Sequence, residues 1–332
     1  MPTLQEIASR TGLSTSTVSR VLRGHIDVKE GTRRAVEQVL GELGYPRLVL
    51  GPRRGRPPKQ TLAATLAIVV RGQANLRRDP FFAPILNAAL EAPVRLGAKA
   101  LGVDWPAHLT EPPSALDGVD GAICIDLQGH RVPLLAKRMP VVTVDNYLPE
   151  THSDGVVADY RRAAFDAMNV FLEKGHKRIA LFSARRTSFE EFTAQIYDGA
   201  RRALELANVE PGPDFLAGCT GVPEEGYALA RRLLERPAEL RPTAFFGSDH
   251  AMLGALRAAH DLGLRIPEDV AVLGVDGIEL GEYAVPRLST IKVDKEAMAR
   301  VAAERLLWRL KHPDSPFCKL VLDCPFIARD SC

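Results

Sequence analysis

The sequence predicts an α/β protein with two parts: an N-terminal three-helix, helix-turn-helix head and a large two-lobed body built on parallel sheets. Three observations predict it. A short helical pattern, a tight glycine turn and a second short helical pattern open the chain. From Leu62 onward, β-type runs alternate with helical ones, which implies parallel strands covered on both faces. The charge is also uneven. Residues 1–60 carry eleven Lys and Arg against five Asp and Glu, a charge of +6, whereas the remainder carries −4. A basic head on a mildly acidic body points to an anionic polymer as the head's partner.

Each element of the head has a local cause. Thr3-Leu4-Gln5-Glu6 is a capping-box pattern, and Leu4, Ile7 and Ala8 repeat at helical spacing. Gly12 supplies the left-handed stop. Ser14 can cap a second helix with Val18, Val21 and Leu22 inward, ended by Gly24. A third runs from about Lys29 to Leu43, with Val36, Val39, Leu40 and Leu43 inward and Gly44 closing it. The second helix then exposes Thr15, Ser16, Thr17, Ser19 and Arg20. Short hydroxyls suit phosphates and base edges, and an arginine can grip a guanine with two hydrogen bonds. The plainer reading is a generic three-helix bundle with a polar face.

In the body, strand-like runs are 66–70, 99–103, 121–126, 141–145, 178–183, 243–247 and 270–275. Helical patterns fall at 160–174, 192–207, 224–235, 249–262 and 295–310. Two such units side by side leave a cleft at the carboxyl ends of their strands, where a ligand sits. The stretch 105–117 is short and proline-rich.

Composition excludes several classes. With 46% hydrophobic and 25% charged residues, the 332-residue chain can bury a large core. No apolar run is long enough to span a membrane, and no membrane partner is expected. The first ten residues lack an apolar signal core, so the expected location is cytoplasmic. Cys124, Cys219, Cys318, Cys324 and Cys332 form no C-x-x-C pair; free thiols are expected, with neither a zinc site nor any other metal. No cofactor is expected. Asp145, Asp249, Asp276 and His250 resemble a catalytic cluster on paper. Carboxylates at strand ends more often accept hydrogen bonds from ligand hydroxyls, and no nucleophile elbow, zinc motif or phosphate loop accompanies them. The protein is not expected to be an enzyme.

The stretch TLQEIASRTGLSTSTVSRVLRG, followed by TRRAVEQVLGELGY, resembles the lactose/galactose repressor (LacI/GalR) family. The resemblance continues through DPFFAPIL (79–86), VDGAI (119–123), PVVTVDN (140–146), KGHKRIAL (174–181), the long run 242–280 and PRLSTIKV (286–293), covering nearly the whole chain. It implies a ligand-responsive DNA-binding transcriptional regulator of repressor type. The sensor would share its fold with periplasmic sugar-binding proteins. The partners implied are a double-stranded palindromic operator, a small-molecule effector such as a carbohydrate or derivative, and a second copy of the chain in a homodimer. By this resemblance Thr15, Ser16 and Arg20 match base-reading positions; Ser14, Thr17, Ser19 and Arg23 match or neighbour phosphate contacts. Phe81, Phe82, Asp145, Ser248, Asp249 and Asp276 match the effector pocket, with Gln195 as a further candidate.

Departures from the family pattern are equally specific. Arg23 stands where an Asn is usual, and Lys29 replaces a Ser cap. Two pocket anchors, an Arg and an aromatic, fall at Ile196 and Gly221. The usual hinge-helix pattern is missing from 45–59, which reads YPRLVLGPRRGRPPK; its Pro and Gly residues disfavour a continuous helix. Within it, Arg54-Gly55-Arg56-Pro57 resembles the core of an AT-hook, in which two guanidiniums follow a narrow A·T minor groove. A solvated basic linker is the alternative. The division expected is a head at 1–46, a linker at 47–61 and a body at 62–332, with one lobe at about 62–157 and 291–319 and the other at about 158–290 and 320–332. A solute-binding protein of a transport system is the competing function; it fits the body and leaves the head unexplained.

Overall fold

In the computed structural model, residues 3–22, 28–43, 64–127, 129–148, 150–183, 190–213, 215–219 and 221–332 are described. The chain divides into two units, 1–63 and 64–332, which are taken separately.

The described residues of the first unit form three helices, α1 (Leu4–Thr11), α2 (Thr15–Leu22) and α3 (Glu30–Glu42). Thr3 caps α1 by accepting from the Glu6 amide at 3.2 Å, and Gly12 ends it at a φ of 66°. That left-handed turn lets Ser14 begin α2, its hydroxyl accepting from the Thr17 amide at 3.1 Å. Ile7, Ala8, Val18, Val21, Val36 and Val39 close one small core, with Leu13, Leu22, Leu40 and Leu43 packed around it. Leu4, which shares their helical spacing, is exposed. Lys29 precedes α3 without a side-chain cap bond, the consequence of lacking a hydroxyl there.

The described residues of the second unit form two six-stranded sheets. The first is formed by β1 (Thr65–Val70), β2 (Lys99–Asp104), β3 (Gly121–Ile125), β4 (Val141–Val144), β5 (Asp154–Ala158) and β11 (Lys319–Leu322). Their order is β11-β5-β4-β3-β1-β2, all parallel. Helices α4 (Gln73–Leu76), α5 (Phe82–Arg95) and α6 (Arg131–Ala136) belong to this lobe, as does α11 (Lys295–Lys311), which packs on α5 and on β3 to β5.

The second sheet contains β6 (Ile179–Ser183), β7 (Leu216–Gly218), β8 (Ala244–Ser248), β9 (Ala271–Asp276), β10 (Ser289–Lys292) and β12 (Phe326–Ile327). They lie in the order β12-β10-β9-β8-β6-β7. Only the two-residue edge strand β12 runs antiparallel. Helices α7 (Tyr160–Glu173), α8 (Glu190–Leu206), α9 (Pro223–Leu234) and α10 (Asp249–Asp261) accompany it. Near-continuous buried runs such as β6 and β9 are what double-sided coverage requires.

The chain passes between lobes at 159, at 293–294 and at 323–325. Two boundaries expected from the sequence therefore shift. A division at 290/291 would cut β10, which pairs whole with β9. One at 319/320 would cut β11, which pairs whole with β5. Backbone hydrogen bonding decides both, because a parallel ladder cannot be shared between separate sheets.

Between β2 and β3 the chain forms only a 3-10 turn, Ser114–Leu116. Trp105 fills the place beneath it, fully buried, with its indole N–H donating to the Leu109 carbonyl at 3.0 Å. Buried Arg131 donates to the carbonyls of Trp105, Pro106, Ala107 and Leu109. One guanidinium thus satisfies the backbone groups that a helix would have paired internally.

Candidate functional site

Two surfaces carry chemistry. In the first unit, Thr15, Ser16 and Arg20 of α2 are exposed. Ser16 and Arg20 lie opposite Val18 and Val21, as 3.6 residues per turn dictates. Ser14 spends its hydroxyl locally, 2.8 Å from those of both Ser16 and Thr17. Two expected exposures are corrected. Ser19 is buried and Thr17 is half-buried, because both flank the apolar stripe rather than sitting at its pole. Arg23, Arg54 and Arg56 lie outside the described residues.

The second surface is a cavity of about 160 Å³ between the lobes of the second unit. It forms at the carboxyl ends of the strands. Asp79, Phe81 and Phe82 come from the β1–α5 connection, and Asp145 follows β4. Tyr160, Phe192 and His250 come from the first turns of α7, α8 and α10. Phe182, Ser248 and Asp276 lie at the ends of β6, β8 and β9, and Gly221 follows β7.

Backbone geometry helps place the acids. Asp145 has a φ of 61° and Asp276 a φ of 128°. Non-glycine residues rarely adopt such angles, and those that do cluster at ligand clamps. The Tyr160 hydroxyl donates to Asp145 Oδ1 at 2.7 Å. Asp79 Oδ1 accepts from the Phe81 and Phe82 amides at 2.8 and 3.1 Å, fixing the start of α5. Lys295 lies beneath, with its ammonium donating to the carbonyls of Asp276, Gly277 and Val293.

Burial dominates the electrostatics. It pushes the Asp145 carboxyl up to about 7; the Tyr160 hydrogen bond and Lys295 pull it back, and Asp126 adds to the rise. Burial likewise raises Asp276 well above the carboxylate range, reinforced by Asp249, Asp145 and Asp79 and opposed by Lys295. Desolvation lowers Lys295, although Asp276 and Asp249 counter it.

Phe81, Phe82, Asp145, Ser248 and Asp276, singled out from sequence, line the cavity. Asp249 and Gln195 are not among the lining residues. Asp249 is a correction: it is fully buried, with Oδ1 accepting from the Thr290 hydroxyl at 2.7 Å and Oδ2 from the Ile278 amide at 2.8 Å. Its carboxylate ties β10 and the turn after β9 to α10. Ile196, at the missing arginine position, is core. Sequence reasoning missed Asp79, Tyr160, Phe182 and Phe192 as lining residues. Asp79 alone had a signal, in the DPFF string; the others read as ordinary helix and strand positions.

Both parts of the chain match known proteins. Residues 3–47 match the family model described as bacterial regulatory proteins, lacI family, and residues 168–332 match a periplasmic binding protein-like domain. The chain is 30% identical over 343 residues to the HTH-type transcriptional repressor CytR of Escherichia coli strain K12, covering 99% of this chain and 96% of that one. It is also 30% identical to the ribose operon repressor of Haemophilus influenzae, covering 100% and 98%. Among solved structures, the transcriptional regulator CelR–cellobiose complex matches with a TM-score of 0.70 at 28% identity, each chain fully covered.

Proposed function

The chain belongs to the LacI family of bacterial regulatory proteins, and from that membership we propose how its parts divide the work of a ligand-responsive transcriptional repressor. It binds operator DNA through α2 and is not an enzyme. No helix of the described residues is long and apolar enough to cross a membrane, and the protein acts in the cytoplasm, where its operator is.

In this reading Arg20 reads a base pair in the major groove. Thr15 and Ser16 contact base edges, and Ser14 and Thr17 lie beside phosphates. Two copies pair, because a palindromic site mirrors two-fold symmetry. The cleft cavity holds a small-molecule effector. Its occupancy changes the rotation of the lobes about the three crossings, and so the spacing of the two heads. A coupling of about 1–3 kcal/mol suffices for a useful switch. The basic segment 47–61 supplements the heads at the minor groove through Arg54 and Arg56.

The observation that carries this reading is α2 itself: a capped helix with Ser16 and Arg20 turned away from a valine core. Its test is selection of a binding site from random duplexes by the full-length chain, followed by Arg20→Ala. Affinity for the selected site should fall steeply with salt. Arg20→Ala should cost about 1–3 kcal/mol and erase the preference at one base pair. Retention of full sequence preference by that variant would refute the reader.

A further inference from the structure

Three crossings join the lobes, and beside two of them a side chain of one lobe binds the other. Lys295, the first residue of α11 in the first lobe, donates to the Asp276 and Gly277 carbonyls after β9 in the second. Tyr160, the first residue of α7 in the second lobe, donates to Asp145 Oδ1 after β4 in the first, at 2.7 Å. The two ties differ in chemistry. Backbone carbonyls carry no exchangeable proton and accept alike at every pH. A carboxyl gains or loses a proton, and its strength as an acceptor changes with it.

Both ends of the second tie are fixed to their own lobes. The Asp145 amide donates to the Val156 carbonyl at 2.9 Å, which holds the residue to β5. The Tyr160 ring stands edge-on to Phe192 of α8, with centroids 4.5 Å apart. Asp159 caps α7 by accepting from the Arg162 amide at 2.9 Å. Neither partner is free to follow the other, so a rotation that parts the lobes must bend or break this bond.

Among the described residues, Asp145 is faced by Tyr160 from α7, Asp126 from the end of β3 and Lys295 from α11, and it faces Asp276 at the end of β9. Asp79 and His250 line the same cavity. Burial pushes the Asp145 carboxyl up to about 7, so both of its forms are populated near neutral pH. Tyr160 stays a donor throughout, because burial and the neighbouring carboxyls hold its hydroxyl well above the ordinary range. A hydrogen bond to an ionised acceptor is roughly twice as strong as a neutral one. The bond also lowers the Asp145 carboxyl. An arrangement without it therefore binds the proton more tightly, and falling pH favours that arrangement.

We propose that the Tyr160–Asp145 bond is a proton-sensitive latch on lobe rotation: ionised Asp145 holds the lobes in this relation, protonated Asp145 releases them, and operator affinity changes accordingly. This rests on the reading that lobe rotation sets the spacing of the two heads. Because Asp145 and Tyr160 both line the effector cavity, the proton and the effector act through the same pair.

The test measures binding of the full-length chain to the duplex recovered by site selection, from about pH 6 to about pH 8 at fixed ionic strength. The parent, Asp145→Asn and Tyr160→Phe are compared, with circular dichroism as a fold check at each pH. Groups elsewhere titrate alike in all three and cancel in the ratio of variant to parent affinity. That ratio should change about threefold or more across the range for both variants, in the same direction. Energy transfer between dyes at positions 95 and 202, exposed on α5 and α8, follows the lobes in dimers carrying one labelled copy. It should shift with pH in the parent and stay flat in both variants. Flat ratios together with flat transfer in the parent overturn the latch. A parent-like pH response in Tyr160→Phe, lost only in Asp145→Asn, overturns it too, since the proton then acts by another route. If transfer shifts in the parent and not in the variants while the affinity ratios stay flat, the latch stands and the coupling of lobe rotation to the heads falls.

Discussion

Tyr160, the first residue of α7, donates its hydroxyl to Asp145 Oδ1, just beyond β4, at 2.7 Å. The bond joins the second lobe to the first across the floor of the cleft, beside the crossing at Asp159. Its energy is therefore part of what holds the lobes in this relation. Tyr160→Phe deletes one donor and keeps the ring against Phe192. The expected loss is about 1 kcal/mol of unfolding free energy, read by urea denaturation. The Asp145 carboxyl should rise further, because the hydroxyl is one of the groups holding it down.

The pH dependence of Asp145 has a definite sign. Its folded-state value, about 7, lies above the ordinary 3.8, so the folded state binds that proton more tightly than the unfolded one. The contribution is fully present below the ordinary value and is lost as pH rises toward 7. Asp145→Asn removes this slope. The stability of the parent minus that of the variant should fall between about pH 4 and about pH 7, measured by denaturation at each pH. A flat difference would contradict the burial argument.

Asp154 carries the opposite sign. Burial raises its carboxyl, yet Arg309, Arg305 and the Cys318 amide together hold it below the ordinary value. Its Oδ2 accepts from Arg309 Nε at 2.9 Å and its Oδ1 from Arg305 at 3.0 Å, with Asp154 and Arg309 almost wholly buried. This stabilisation is present above the ordinary value and disappears as pH falls through the depressed one. Asp154→Asn leaves two guanidiniums short of their countercharge. It should cost about 3–5 kcal/mol, seen as a lower thermal midpoint at neutral pH that converges with the parent's in acid.

The α9–α10 pair depends on two glycines that touch the opposite backbone. A Cβ on Gly226 would lie 2.2 Å from the Ala251 carbonyl oxygen, and one on Gly254 would lie 2.0 Å from that of Pro223. Backbone cannot yield as a side-chain tip can. Gly226→Ala and Gly254→Ala should each destabilise by about 1–3 kcal/mol or more. The double variant should cost less than the sum, since either substitution already parts the helices; calorimetric melting of the three variants checks both statements.

The cavity shows where sequence reasoning reached and where it stopped. Asp145 and Asp276 could be found because they end strongly apolar strand runs, and such ends converge on a cleft in an open parallel sheet. Phe182 and Phe192 could not. An aromatic at a strand end or in a helix's first turn has the same local pattern whether it faces core or ligand. Asp249 shows the converse: its position after β8 fits a ligand contact, and only the approach of Thr290 and Ile278, distant in the chain, commits its carboxylate elsewhere.

The sequence alone determined the three head helices, through caps, a glycine stop and apolar spacing. It also determined most of the parallel strands, through apolar runs that need cover on both faces. These signals are local, acting over one or two turns or along one strand. Tertiary structure alone decided that β11 belongs to the first lobe and β10 to the second, because a short strand acquires its place only from the neighbour that pairs its backbone. It also decided the character of the cleft. No local pattern encodes that Asp79, Asp145 and Asp276, far apart in the body's sequence, share one small space with five rings; that meeting of carboxyl groups and aromatic surface exists only once the two lobes face each other.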